Sequence, residues 1–212
     1  MVFWQSGEWQ VIQEKLDDLE AKGIKYNPER ENLFAALDLV PLDKTRVVLI
    51  GQDPYPNSKF ATGVAFSIPK GLRKFPQTLI TIFIEYCKDL SDVCPTTGNL
   101  EKWCDQGVLL WNAYPTTLDG VPGAHLGWTE WDWLTKEIVE LLSKKEPKVV
   151  IVFIGSVARR FVKFIDKTTT NYIEVGHPSP RGLLKAANPF VGSRLFSTIN
   201  SKISGAKIDW RL

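Results

Sequence analysis

Cysteine, histidine and methionine are scarce in this chain, with three, two and one respectively in 212 residues. Cys87, Cys94 and Cys104 are an odd number without paired Cys-x-x-Cys spacing. That excludes a disulfide framework and a four-cysteine zinc or iron–sulfur centre, and each is expected as a reduced structural thiol. Only His125 and His177 are present, and no His-Glu-x-x-His, Gly-x-x-x-x-Gly-Lys-Ser/Thr or Gly-x-Ser-x-Gly run occurs. A zincin, a P-loop NTPase and an α/β-hydrolase elbow are therefore unsupported. No apolar run approaches the roughly 18 residues that span a bilayer. The N-terminus lacks the basic and apolar regions of a secretory leader. A soluble, intracellular, cytoplasmic protein with no membrane partner is expected.

The remaining composition is that of an ordinary globular domain, 44% hydrophobic and 24% charged with 15 Gly and 13 Pro. At this length one core buries roughly 70% of the surface that the unfolded chain exposes, so no covalent staple is needed. No repeat, low-complexity tract or linker divides the chain, and 1–212 reads as one domain. Net charge is only +2 but uneven. From Gly155 onward ten Lys/Arg stand against three Asp/Glu, a net of +7, and the preceding segment is at −5. Such asymmetry points either to a face that meets a polyanion or to a solvated surface without a partner.

Apolar residues at Trp9, Ile12, Leu16 and Leu19 have helical spacing, so Glu8 to about Lys22 is expected as a helix stopped by Gly23. Helices are also expected near Glu31 to Leu39, over Thr78 to Asp89 and over Thr129 to Ser143. Between them lie apolar runs too short for helices: Val47–Ile50, Val108–Trp111, Val149–Ile154 and Tyr172–Val175. Strands alternating with helices imply an α/β fold, a central, mostly parallel four-stranded sheet flanked by helices on both faces. Each run ends in a loop of distinct chemistry: Gly51-Gln-Asp-Pro-Tyr-Pro56, Asn112-Ala-Tyr-Pro115, Gly155-Ser-Val-Ala158 and Gly176-His-Pro-Ser-Pro180. Ligands of open α/β sheets bind outside the C-terminal strand ends, so Asp53, Tyr55, Asn112, Ser156 and His177 are expected to converge.

Read singly, these residues leave alternatives open. Asp53 is either a reacting carboxylate on a loop stiffened by Pro54 and Pro56 or a helix cap. Asn112 either reads the edge of a planar heterocycle or ties down its own turn. Phe66 stacks on a ring or fills the core, and Tyr55 presents the same choice in a loop. His177 donates to a developing oxyanion while neutral, or is a satisfied turn histidine.

Gly51-Gln-Asp-Pro-Tyr through Gly63-Val-Ala-Phe-Ser67 resembles the water-activating motif of family 1 uracil-DNA glycosylases, and His177-Pro-Ser-Pro180 resembles their DNA-intercalation motif. The likeness extends through Gly107–Asn112, Leu126-Gly-Trp128, Gly155-Ser156, Phe190-Val-Gly192 and Ile208-Asp-Trp210. It covers nearly the whole chain from about Tyr26. The resemblance implies a monomeric, cofactor-free, metal-free enzyme that flips uracil out of single- or double-stranded DNA and hydrolyses its bond to deoxyribose. By the same likeness, Asp53 stabilises the cationic sugar and orients water, and His177 hydrogen-bonds uracil O2. Asn112 reads the uracil amide edge against cytosine, Phe66 stacks on the base and Tyr55 blocks the thymine methyl. Gln52 lines the pocket mainly through its backbone. Pro76-Gln77-Thr78 resembles the family's proline-rich phosphate loop, usually Pro-Pro-Ser, and Gly155-Ser156 its Gly-Ser loop; Pro178, Ser179, Pro180 and Arg181 belong to the intercalation loop. Nearby Arg159, Arg160, Lys163, Lys185 and Arg194 then account for the C-terminal positive excess. A protein inhibitor that mimics DNA is a further expected partner.

Two departures stand out. Pro56 occupies the place of the family's usual histidine. Arg181-Gly182 replaces the usual Leu-Ser, and the segment before Phe190 is longer by about three residues. The wedge that fills the vacated stack is then Arg181 or the pair Leu183 and Leu184. The departures also define an alternative of another class, a glycosylase-fold DNA-binding accessory protein with weakened catalysis. Tyr55 and Asp53 disfavour relatives that cleave thymine or mismatches, and the cysteine count disfavours iron–sulfur glycosylases.

Overall fold

The structure is a computed structural model that describes residues 1–179 and 188–212. The expected intercalation residues Pro180 and Arg181, and with them Leu183, Leu184 and Lys185, lie outside the described residues. Strands β2 (Val47–Gly51), β3 (Val108–Asn112), β5 (Val150–Ile154) and β6 (Asn171–Val175) form a four-stranded sheet in the order β3-β2-β5-β6, every neighbour parallel. A two-stranded antiparallel ribbon, β1 (Tyr26–Asn27) with β4 (Thr117–Leu118), stands apart from it. All residues of β2, β3 and β5 are buried. Because side chains alternate between faces, this burial requires cover on both, and it explains why these strands read as unbroken apolar runs.

The cover is helical. Helix α1 (Glu8–Ala21) ends where Gly23 adopts φ 67°, and the Ile24 and Gly23 N–H groups close on the carbonyls of Leu19 and Glu20. The left-handed residue that closes a helix C-terminus is ordinarily glycine. Helix α3 (Gln77–Leu90) buries Leu79, Ile82, Phe83 and Tyr86, and α5 (Thr129–Ser143) buries Trp131, Leu134, Ile138 and Leu142. Both sets show the 3–4 residue spacing of a core-facing stripe.

The helix expected over Glu31–Leu39 is interrupted. A 3-10 turn at Arg30–Asn32 and α2 (Ala35–Leu39) are separated by Phe34, at φ −115° and ψ 15°. Leaving the helical conformation lets Phe34 meet Trp4, Trp9 and Trp131 edge to face, so packing overrides local propensity. Two short helices, α4 (Glu101–Cys104) and α6 (Gly155–Arg159), were not expected, nor was α7 (Leu195–Lys202). The buried Glu85 of α3 fixes the start of α7 by accepting the backbone N–H groups of Gly192 at 2.5 Å and Arg194 at 2.6 Å.

The cysteine expectation is corrected for two of three residues. Cys87 and Cys94 form a disulfide with Cα atoms 5.4 Å apart. The chain reverses after α3 at Ser91, whose φ is 52°, and this reversal brings together residues that a spacing of seven does not mark as a pair. Cys104 is a free, buried thiol, pushed up to about 12 by burial.

Candidate active site

The register of the sheet sets Gly51 beside Asn112 at the C-terminal ends of β2 and β3. The following residues stay tied, with Ala113 and Tyr114 donating to the carbonyls of Gly51 and Gln52. Gly51 is needed for its lack of a side chain. A Cβ there would lie 2.7 Å from Phe66 Cζ and 3.1 Å from Asn112 Oδ1. Phe66 and Asn112 thus crowd the same space over the strand end.

A cavity of about 590 Å³ opens outside these ends. Gln52, Asp53, Tyr55 and Phe66 line it from the β2 side, Thr78 from α3, Ser156 from α6, and His177 and Ser179 from the loop after β6. With Pro122 from the loop after β4, five separate segments meet, three of them at the C-terminal ends of strands β2, β5 and β6. Asn112 abuts this group without forming cavity wall. Pro76, Gln77, Gly155 and Pro178 also lie off the wall.

Asp53 accepts the backbone N–H of Gly123 on Oδ2 at 2.5 Å and the Gln52 side-chain amide on Oδ1 at 3.0 Å. Burial pushes its carboxyl above the ordinary carboxylate range, and these two donors oppose the rise. Its role as a helix cap is ruled out by the geometry, since Gly123 lies in a distant loop. Gln52 contributes its side chain as well as its backbone. Pro56, on the cavity wall, has its carbonyl occupied by Gly120 N–H at 2.7 Å and Asn27 Nδ2 at 2.9 Å. The β1–β4 ribbon thus braces the Asp53 loop from below.

Tyr55 donates its hydroxyl to the Phe66 carbonyl at 3.0 Å. Phe66 has φ 67°, a left-handed backbone that is costly for a bulky residue and persists only where the surroundings hold it. It belongs both to the core, at 8% exposure, and to the cavity wall. Asn112 is 7% exposed and, among the described residues, its side-chain amide has no hydrogen-bond partner. It does not tie down its own turn. A buried amide in this state is poised to take an external partner.

His177 Nδ1 accepts the Ser179 N–H at 3.1 Å, which leaves the ring proton on Nε2. Burial lowers its pKa to about 4, so the imidazole is neutral at pH 7 and acts as a donor. Gly155, at φ 86°, packs against this ring; a Cβ would sit 3.0 Å from His177 Cβ. The cavity therefore presents a fixed carboxylate, a neutral imidazole N–H and an aromatic plate. Such a set stabilises positive charge at one place and negative charge at another. Among the described residues no His/Cys/Asp/Glu group is arranged to hold a metal ion, and no helix is long and apolar enough to cross a membrane.

Gly123, Pro122 and Arg159 were not singled out as site residues by the sequence. Gly123 acts through a backbone N–H, which no side-chain pattern reveals, and Pro122 is exposed turn chemistry whose Pro-Gly signal marks only a loop. Arg159 lines the cavity next to Ser156, but in the sequence it was one of several basic residues.

Residues 37–201 match the family model described as the uracil DNA glycosylase superfamily. A uracil-DNA glycosylase of Mycolicibacterium vanbaalenii is 38% identical over 195 residues, which cover 91% of this chain and 84% of that protein. The crystal structure of mimivirus uracil-DNA glycosylase superposes with a TM-score of 0.86 at 26% identity, covering 99% of this chain and 85% of that one. A variant of mimivirus UNG solved in complex with UGI superposes at 0.87 and 26% identity, covering 99% and 86%.

Proposed function

Because this chain belongs to the uracil DNA glycosylase superfamily, we propose that it removes uracil from DNA by hydrolysing the N-glycosidic bond and leaving an abasic site. The observation that carries the reading is the presence of Asp53 and the neutral His177 on one cavity with Phe66. A base inside a duplex is out of reach of such a cavity and must be extruded into it. The extruded uracil stacks on Phe66, with its amide edge toward Asn112 and Tyr55 excluding a 5-methyl group. As the C1′–N1 bond breaks, its electron pair leaves on uracil, where His177 Nε2–H donates to O2. Positive charge grows on the sugar and is stabilised by Asp53. Water adds its oxygen to C1′, and the proton it loses passes by way of Asp53 to solvent. Each of these steps uses only side chains of this chain and water. No observation favours the accessory-protein reading.

Thr78, Ser156 and Ser179 are assigned to phosphates around the extruded nucleotide, with Pro76, Gln77, Gly155 and Pro178 shaping their loops. Single- and double-stranded uracil-containing DNA are both included as substrates. The protein is assigned as a monomer of one glycosylase-like domain over 1–212, acting inside the cell. The UGI complex of the mimivirus relative supports a DNA-mimicking protein inhibitor as a further partner.

Two outcomes test this reading. Asp53 must be ionised, and burial raises its carboxyl above the ordinary carboxylate range. His177 stays neutral down to about 4. Single-turnover rate is thus expected to rise with pH through an acid limb displaced above the ordinary carboxylate value, then stay flat across neutrality. His177→Gln should be slower yet keep that limb; its disappearance would assign the limb to the imidazole instead. Gly51→Ala should drive apart Phe66 and Asn112, weakening inhibition by free uracil by about tenfold or more. Unchanged inhibition would remove the base from this end of the sheet.

A further inference from the structure

Arg159 and Arg160 are neighbours in sequence and differ in what holds them. Arg160 donates from Nη1 to the Tyr114 hydroxyl at 3.2 Å and lies 3.9 Å from Asp132. Its guanidinium thus has partners within the protein. Arg159 instead lines the cavity, and its hydrogen bond runs from Nε to the Gly155 carbonyl one turn back, at 3.4 Å. Among the described residues it has no ion pair. Both of its terminal nitrogens are left for something else.

The Arg159 guanidinium on this wall has no anionic partner among the described residues, so water alone answers its charge and an anion entering the cavity would find its donors free. The carboxylate sharing the cavity, Asp53, is taken by Gly123 and Gln52. An anion that pairs with Arg159 would therefore come with the ligand. Ser156 and Thr78, both hydroxyl-bearing, line the same cavity. A planar fork of donors with hydroxyls beside it suits a phosphate diester, which takes two parallel N–H bonds from arginine.

We propose that Arg159 is a phosphate-binding residue that grips one diester flanking the extruded nucleotide, a role that sets it apart from the other basic residues of the C-terminal region. The proposal rests on the uracil-DNA reading. It distinguishes one specific contact from a diffuse positive face, because only a specific contact belongs to a single linkage.

The test uses uracil oligonucleotides in which one linkage at a time is an uncharged methylphosphonate, with binding measured for the parent, Arg159→Gln, Arg159→Lys and Arg160→Gln. The parent should lose about tenfold in affinity at one linkage near the uracil. Arg159→Gln should bind the normal oligonucleotide about tenfold more weakly and become indifferent to that same substitution. Its log–log salt slope should fall by about 0.9 on duplex and about 0.7 on single strands. Arg159→Lys, which retains the charge, should retain the slope, and it keeps the test valid if the glutamine variant fails to fold. Arg160→Gln, whose guanidinium is shared with Tyr114 and Asp132, should lower the slope less than Arg159→Gln does and leave the sensitivity to the single linkage intact; an equal effect would contradict the assignment to Arg159. If the parent binds and cleaves while Arg159→Gln feels every linkage as the parent does, the Arg159 contact is overturned alone. A parent that neither binds uracil-containing DNA in a salt-dependent way nor releases uracil overturns the enzyme reading along with it.

Discussion

Asp53→Asn is expected to slow single-turnover uracil release by about 10³-fold, the scale on which removing a preorganised charge from a reacting centre is felt. The substitution is isosteric. An asparagine oxygen still accepts the Gly123 N–H, and the Gln52 amide rotates to present its oxygen to the new NH2 group. The fold and the loop should therefore survive. What is lost is the negative charge opposite the cationic sugar and the acceptor for the water proton. Affinity for uracil-containing DNA should be unchanged or slightly tighter, since a carboxylate repels phosphates. Equal losses in binding and rate would instead mean that Asp53 holds the loop rather than the transition state. The measurement pairs rapid-quench kinetics with a binding titration.

Asn112→Asp is expected to have the second largest effect, lowering excision of uracil by about 10³-fold, because a site built to hydrogen-bond one edge pattern strongly rejects its complement. The amide offers a donor toward uracil O4 and an acceptor toward N3–H. A carboxylate offers acceptors only, and at a position 7% exposed it also pays for desolvation. Cytosine, with an exocyclic amine where uracil has O4, loses less, so discrimination between the two bases should narrow. Rates on matched uracil and cytosine oligonucleotides check this. A uracil rate within tenfold of the parent would move the recognition role away from Asn112.

The unpartnered state of Asn112 is also the clearest case of something a sequence withholds. Val47–Ile50, Val108–Trp111 and Val149–Ile154 were legible as strands because a parallel sheet covered on both faces demands continuous apolar runs, and the chain supplies them. The loops after them were legible as a site because strand ends in such a sheet share one side. Whether Asn112 tied down its own turn depended on distant atoms, and the register that sets it beside Gly51, next to Phe66, is what the sequence could not supply. Phe34 broke an expected helix for a similar reason, because three tryptophans on other elements compete for its ring. The Cys87–Cys94 bridge needed the left-handed Ser91 to turn the chain, a conformation that serine does not advertise. Helix α7 is only eight residues long, with Leu195, Phe196 and Ile199 its buried face among Ser, Thr and Asn. So short a segment has little helicity of its own, and Glu85 and packing supply the rest.

The Gly123 N–H shows the same limit at the Asp53 carboxylate. The Asp53 carboxylate is aimed by a backbone donor seventy residues away, in a loop that follows the β1–β4 ribbon. The Asp-Pro-Tyr sequence marks the carboxylate, and nothing in it marks what aims it.

The most direct test of the enzyme reading is single-turnover release from matched oligonucleotides carrying one uracil, thymine or cytosine, single-stranded and duplex, scored as alkali-labile abasic sites. Cleavage at uracil alone, lost by orders of magnitude in Asp53→Asn, is the expected result. Binding of uracil-containing DNA with no abasic site formed would contradict it and leave a DNA-binding protein with a silent cavity.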